Sequence, residues 1–387
     1  MIEGMDGCIL PQDVIPEIMS WLPIESIARF SCVCKGFYEL FKRIDFIDLH
    51  LSRSKERIFV EKRGGFSTSL TSLSLIEEGD YGSLWKAREI PIRLGGLVVF
   101  PTISTCNGLI CAVRSHVDDQ ALAVYNPITN ESIELPLSDR QGKRLLSIGF
   151  GFDSKSKRYK VVRLSEDDDE GVIVRKGEIV TVGDSLWRGL DVPFSVLFGR
   201  SFSPLFHGGA FHWIVDKEIH SDSVDGLERI LILDISTETF QTCSYKLNIS
   251  YPLTTLVFNC GEHLCLAEQQ SSEVEEIIDV YRLTPINSSA VGHTQHCSYL
   301  LPPSKPWDLY LISFLMDDTF LIGEVNLSNN FRDDHLAIFN PKTGLYRNIG
   351  VNGIPRSFTT HIFVPSLVSP YASFKMAESH RFQKVLS

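Results

Sequence analysis

Apolar residues recur at helical spacing over the first fifty or so positions and at strand spacing after them, so the chain reads as two parts. Val14, Ile15, Ile18, Met19 and Leu22 mark one amphipathic helix, and Ile24, Ile27 and Ala28 a second. Phe37, Leu40, Phe41 and Ile44 mark a third, after which Asp45 is placed to cap a last short turn carrying Phe46 and Leu49. Pro16 falls inside the first helix. With a start near Gln12, its missing N–H lies close to the first turn, where no intrahelical partner is required. A helical unit of about 40 residues is near the lower limit for burying a core of its own. Its apolar faces therefore need another surface to pack on.

After Leu51, short apolar stretches alternate with Gly, Asn, Asp and Pro turn signals. Two motifs recur. One is a turn entering an apolar strand, at Asn107-Gly108, Gly208-Gly209, Gly261-Glu262 and Asp317-Asp318, with Asp153 to Val162 as a looser fifth case. The other closes a strand with an [N/D]-x-x-T turn: Asn126 to Thr129, Asn340 to Thr343 and, more weakly, Asp234 to Thr237. The first motif repeats every 50 residues or so and the second at about twice that period, the signature of propeller blades. A four-stranded blade buries both faces only by packing on neighbours, which predicts a ring. Five units run from about Thr102 to Gly353. Arg57 to Glu61 and Thr71 to Ile76 before them, with Thr359 to Val364 after them, are expected to pair into a sixth, closing blade that removes exposed edges. The expected fold class is thus a small all-α unit of three to four short helices followed by an all-β, propeller-like domain of about six blades. An open β-sandwich is the alternative.

Composition narrows the setting. The 387 residues are 43% apolar, ordinary for a globular chain, and no apolar run approaches the roughly 18 residues of a membrane span. The N-terminus carries Glu3 and Asp6 and no basic flank before an apolar block, which predicts a cytoplasmic or nuclear protein. Nine cysteines, an odd number without a CxxC pair, agree with a reducing compartment. With 37 basic and 48 acidic residues the net charge is −11, which argues against nucleic acid and favours encounter with a basic protein. The densest acidic run is Glu166, Asp167, Asp168, Asp169 and Glu170, read as a solvated loop between strands or as a steering patch for a basic target.

The order of Leu10-Pro11, Ile18, Leu22-Pro23, Ser26, Arg29, Val33-Cys34-Lys35 and Phe37-Tyr38 resembles the F-box, with Phe37 where that family usually has tryptophan. The resemblance implies a Skp-type adaptor of a cullin ubiquitin ligase as the missing surface, contacted through Leu10, Pro11, Ile18, Leu22, Pro23, Ile27, Val33, Cys34, Lys35 and Phe37. The segments CNGLICAV, YNPITNESIELP, GFGFDSKSKRYKVVRL, GGAFHWIV and ILDISTETF, in this order, resemble the F-box-associated domain of plants, and PSLVSP resembles its final strand. On that basis residues 5–52 are the F-box, 53–101 lead into the first or closing blade, 102–370 form the repeats and 371–387 a tail. The layout also resembles S-locus F-box proteins, receptors for basic pollen-rejecting ribonucleases.

No Gly-x-Ser-x-Gly elbow, phosphate-binding loop or His-Glu-x-x-His motif occurs. Cys106, Cys111, Cys260 and Cys265, with His263 near, could form a zinc site but read better as buried thiols on strands. His207 and His212, five apart, are expected on opposite faces of a strand, with His212 structural beside Trp213. The expectation is a receptor with no active site, cofactor or metal, which holds a target protein for ubiquitination and proteasomal degradation. It would bind neither nucleic acid nor membrane. The alternative is an adaptor-independent binding propeller whose helical cap is structural.

Overall fold

The N-terminal spacing resolves into four helices in the computed structural model, α1 (Val14–Met19), α2 (Ile24–Phe30), α3 (Lys35–Leu40) and α4 (Ile44–Arg53). The structure describes residues 11, 14–62, 73–78, 85–90, 97–116, 119–139, 143–169, 172–193, 197–198, 204–216, 227–246, 254–260, 263–271, 276–287, 290–301, 308–314, 319–326, 333–349 and 358–371. Pro16 sits in the first turn of α1, where its missing N–H costs nothing. The Cys34 thiol caps α3, accepting from the Phe37 N–H at 3.5 Å. Asp45 does not cap a short last turn. It lies inside the first turn of α4, which runs for ten residues, and its carboxylate pairs with Arg43, the N-cap residue.

Beyond the helices the described chain is strand. β1 (Arg57–Lys62), β2 (Leu73–Glu78) and β3 (Trp85–Ile90) open an antiparallel meander. Four-stranded meanders follow from β4 (Leu97–Cys106), β5 (Leu109–His116), β6 (Asp119–Tyr125) and β7 (Ser132–Glu134), and from β8 (Arg144–Asp153), β9 (Arg158–Asp169), β10 (Val172–Thr181) and β11 (Arg188–Leu190). The next has a split inner strand, β12 (Leu197–Phe198) and β13 (Leu205–His207), both paired with β14 (Ala210–Asp216) and followed by β15 (Leu227–Asp234) and β16 (Thr239–Lys246).

Then come β17 (Thr254–Cys260), β18 (His263–Ser271), β19 (Glu276–Asn287) and β20 (Ala290–Leu301). β21 (Asp308–Phe314), β22 (Phe320–Asn326), β23 (Asp333–Asn340) and β24 (Leu345–Ile349) follow. Finally β25 (Phe358–Phe363) returns to pair with β1 along its length, from Arg57 opposite Phe363 to Lys62 opposite Phe358. The closing blade is thus built from both ends of the domain, as the sequence predicts.

Hydrogen bonding links these strands into five sheets. The largest, of nine strands, is two meanders joined by a single parallel pair, Ser244 with Ala290, so the ring has six radial units. Among the described residues, five of the blade interfaces each have their own apolar core. Leu109, Val124, Phe150 and Val161 fill one, and Val162, Ile179, Phe211 and Trp213 the next. Further interfaces centre on Leu266 and Tyr281, on Phe258 and Phe320, and on Ile58 with Leu336.

The two sequence motifs map onto two turn chemistries. Asn107-Gly108 and Gly208-Gly209 have positive φ at both central positions, the primed turn that matches strand twist in a tight hairpin. The [N/D]-x-x-T segments are Asx turns. Asn126 Oδ1 accepts from the N–H of Ile128 at 2.8 Å, Asp234 Oδ1 from Ser236 at 2.7 Å, and Asn340 Oδ1 from Lys342 at 3.0 Å. Asp153, grouped from the sequence with the first motif, belongs here instead, since its carboxylate accepts from the Lys155 N–H at 2.9 Å. The fifth residue of all four turns has positive φ: Asn130, Lys157, Glu238 and Gly344.

Candidate functional site

The helical unit holds a small interior and a large open surface. Ile27, Phe41 and Phe46 are buried, flanked by Met19, Leu22, Phe30, Phe37 and Leu40. The aromatic members interlock, Phe37 stacked on Phe41 at 5.8 Å and edge-on to Phe30 at 5.9 Å. Around them Val33 is 66% and Ile18 47% exposed, with Pro11, Pro23 and Lys35 also at the surface. Leu22, Cys34 and Phe37 are half-buried, and Leu10 lies outside the described residues.

One sequence expectation needs correcting. Ile27 has no exposed surface; it is interior to α2 and offers a partner nothing to touch. Cys34 and Phe37 also do internal work, as a helix cap and a packing ring. Two exposed apolar residues were missed, Trp21, at 69% exposure, and Ile44; Tyr38, part of the F-box match but not assigned a contact, is exposed as well. Spacing did not single them out, because Trp21 falls three residues after Ile18 and Tyr38 three before Phe41, positions that read as part of an apolar stripe. The Arg53 guanidinium covers one face of the Trp21 ring at 4.5 Å, and Arg53 also pairs with Glu17.

The helices sit on one face of the ring. Ile47 and Leu51 of α4 pack against the blade core around Leu109 and Val124, and Arg57, the first residue of β1, forms a two-pronged ion pair with Glu25 of α2 at 2.6 and 3.2 Å. Ser366, next to Leu367 in the helical cluster, donates to the Asn107 carbonyl at 2.6 Å. That contact places the turns between first and second strands on the helix-bearing face. Because each meander runs up and down, the turns between second and third strands open on the opposite face.

The acidic run is not a loop. Glu166 to Asp169 continue β9, with Asp167 to Asp169 in register with Val174 to Val172 of β10, which supply ladder partners that a loop would lack. Glu166 is not free to steer a target: it is held between Arg144 at 3.0 Å and Arg175 at 3.2 Å and is largely covered. Glu170 lies outside the described residues. The end of this hairpin belongs to the face away from the helices. On that face, each of five second-to-third-strand hairpins has an acidic residue as the strand position beside its turn: Asp119, Asp169, Asp216, Glu276 and Asp333.

His207 and His212 are not on opposite sides. The Gly208-Gly209 turn folds β13 back on β14, bringing the two rings to 6.2 Å. Burial, with the neighbouring His207 ring, pushes His212 down to about 4. Burial pushes the thiols of Cys106 and Cys111 up, that of Cys106 to about 12, so both are inert protonated side chains. Cys265 lies in a different blade core, so the imagined zinc ligands do not converge. Among the described residues no group of three His, Cys, Asp or Glu is arranged to hold a metal ion. No described helix is long and apolar enough to cross a membrane.

A four-helix unit with an open apolar face, seated on a ring closed by both chain ends, defines a helix-capped β-propeller protein. The F-box-associated beta propeller domain matches residues 80–370 and the F-box domain residues 8–49, so the chain belongs to the F-box proteins with an F-box-associated propeller. The chain is similar to plant proteins of this kind. F-box protein At3g07870 of Arabidopsis thaliana is 31% identical over 60% of this chain and 59% of its own length. F-box/kelch-repeat protein At3g23880 of the same plant is 27% identical over 60% of this chain and 64% of its own. F-box protein CPR1, also of Arabidopsis, is 22% identical over 93% of this chain and 88% of its own. The chain thus spans about three fifths of the length of the first two relatives.

Proposed function

We propose that this protein is the substrate-recognition subunit of a Skp-cullin-F-box ubiquitin ligase, with no active site of its own. The F-box holds a Skp-type adaptor and through it the cullin. The propeller holds a target protein so that its lysines meet the charged ubiquitin-conjugating enzyme, and proteasomal degradation follows. Rate enhancement comes from effective concentration at the thioester. The observation that carries this reading is the apolar surface of the F-box unit, above all Val33 and Trp21, which the described residues leave largely exposed. A purely structural cap would account for Ile47 and Leu51 against the ring but not for that open face.

In this reading Pro11, Ile18, Pro23, Val33 and Lys35 touch the adaptor together with the half-buried Leu22, Cys34 and Phe37, Leu10 is assigned to the same contact by the F-box resemblance alone, and Ile27 supports it from within. Val33→Glu places a charge on the open face without touching the interior. Co-purification with a plant Skp-type adaptor should drop by about 30-fold or more, the scale of a lost interface anchor. Undiminished yield would refute the assignment.

The target is a basic protein held on the face opposite the helices, where the acidic strand ends gather and Asp167 to Asp169 project beyond β8. Replacing Asp167, Asp168 and Asp169 with Ser should slow target association and flatten its salt dependence while leaving adaptor binding intact. Superimposable rate series against ionic strength would return the run to an ordinary hairpin end.

A further inference from the structure

The segment after β25 resembles a final strand in sequence, yet Val364 to Ser369 form no ladder. Pro365 and Pro370 lack the N–H groups a ladder needs, and the carbonyls are taken by side chains instead. Asn126 Nδ2 donates to the carbonyls of Ser366 at 3.0 Å and Val368 at 2.7 Å, while Ser366 Oγ donates to the Asn107 carbonyl. Asn126 and Ser366 are fully buried. The Tyr371 hydroxyl adds a bond to the Ser132 carbonyl at 2.6 Å. The fit is tight: a Cβ at Gly108 would lie 2.2 Å from Ser366 Oγ.

Consecutive residues of this strap serve two different cores. Val368 packs into the ring with Leu109 and Val124, whereas Leu367 packs into the helices with Ile27, Phe41 and Phe46. We infer that Leu367 is a positioning residue that completes the core of the F-box, so that the ring, through its strap, holds the helices in the arrangement the adaptor binds. The coupling follows from geometry alone; its effect on the adaptor rests on the function proposed above. A core with three buried members among the described residues is sensitive to the loss of any apolar partner.

Two substitutions approach Leu367 from opposite sides. Leu367→Ser removes the plug. Gly108→Ala adds a methyl group in the β4–β5 turn, whose nearest neighbours are all in the strap, Ser366 and the Val364 carbonyl, so it reaches the helices by displacing the strap. Hydrogen exchange on the full chain without partners is the first readout. Amides of α2 to α4 should exchange about tenfold faster or more in both variants, while those of β9 and β15 keep the wild-type rate. Adaptor affinity should fall roughly tenfold in both, with Leu367→Met close to wild type; Leu367→Ala replaces the serine variant if that one does not fold. Wild-type exchange in the helices of the folded variants would overturn the inference. A wild-type chain that binds no adaptor would sink the functional reading and leave the exchange result to decide the coupling.

Discussion

The helices and the ring solve the same problem in opposite ways. The ring closes on itself: six units, a separate apolar core at successive interfaces, and a seam where β25 meets β1. The helices do not close. Five of the ten large exposed hydrophobic residues among those described lie between Ile18 and Ile44, in a unit of four short helices. Closure by repetition gives a platform whose turns are free to vary, because the interfaces below carry the stability. An unclosed unit gives a face whose coverage is a binding event. The difference separates the part that is finished at folding from the part that is finished at assembly.

The largest effect should come from breaking the seam. Phe59 and Phe363 meet edge to face at 4.2 Å, both nearly inaccessible, and join the two ends of the domain. Phe363→Ala should cost about 3–5 kcal/mol by chemical denaturation; a loss under about 1 kcal/mol would mean the ring does not depend on its seam. A smaller effect tests the ring interior through pH. His212 titrates at about 4 when folded against 6.5 unfolded. Between those values the unfolded chain binds a proton that the folded chain refuses. Stability from this site is therefore complete above pH 6.5 and is lost as pH falls towards 4, by at most roughly 3 kcal/mol. His212→Leu should flatten that part of the profile, and parallel profiles would show His212 to be exposed to water. The smallest effect lies on the helices. Val33→Ala should change stability by no more than about 0.5 kcal/mol, since the side chain is in water. A cost near that of a core residue would erase the contrast between the two regions.

Much of the ring was legible because its turns demand particular residues. Only Asn or Asp side chains make the Asx turns at Asn126, Asp153, Asp234 and Asn340, and only Gly or Asn tolerates the hairpins at positions 107–108 and 208–209. The two ends of the closing blade were legible for the same reason, as strand pattern with no partner nearby. What escaped depends on how strands pair. The approach of His207 to His212 follows from where a hairpin folds, and the bridge of Ser244 to Ala290 from how two blades meet. The strap carries strand-like residues but spends its carbonyls on Asn126. The F-box face was read in outline. Helical periodicity places Ile27, turned inward from α2, but says nothing of Val33, which lies in the turn between α2 and α3 and faces outward.

The pairing of β1 with β25 also sets an order of events on the ribosome. Arg57 and Phe363 are neighbours in the sheet but about 300 residues apart in the chain, a separation at the extreme of non-local contacts. The F-box helices emerge first and β1 waits as an open edge while five further blades are made. A nascent chain in that state offers unpaired strand edges and uncovered helices together, the two surfaces most prone to capture by other chains. Supply of this protein should therefore depend on chaperones that shield β1 until β25 appears, more than on the stability of the finished ring.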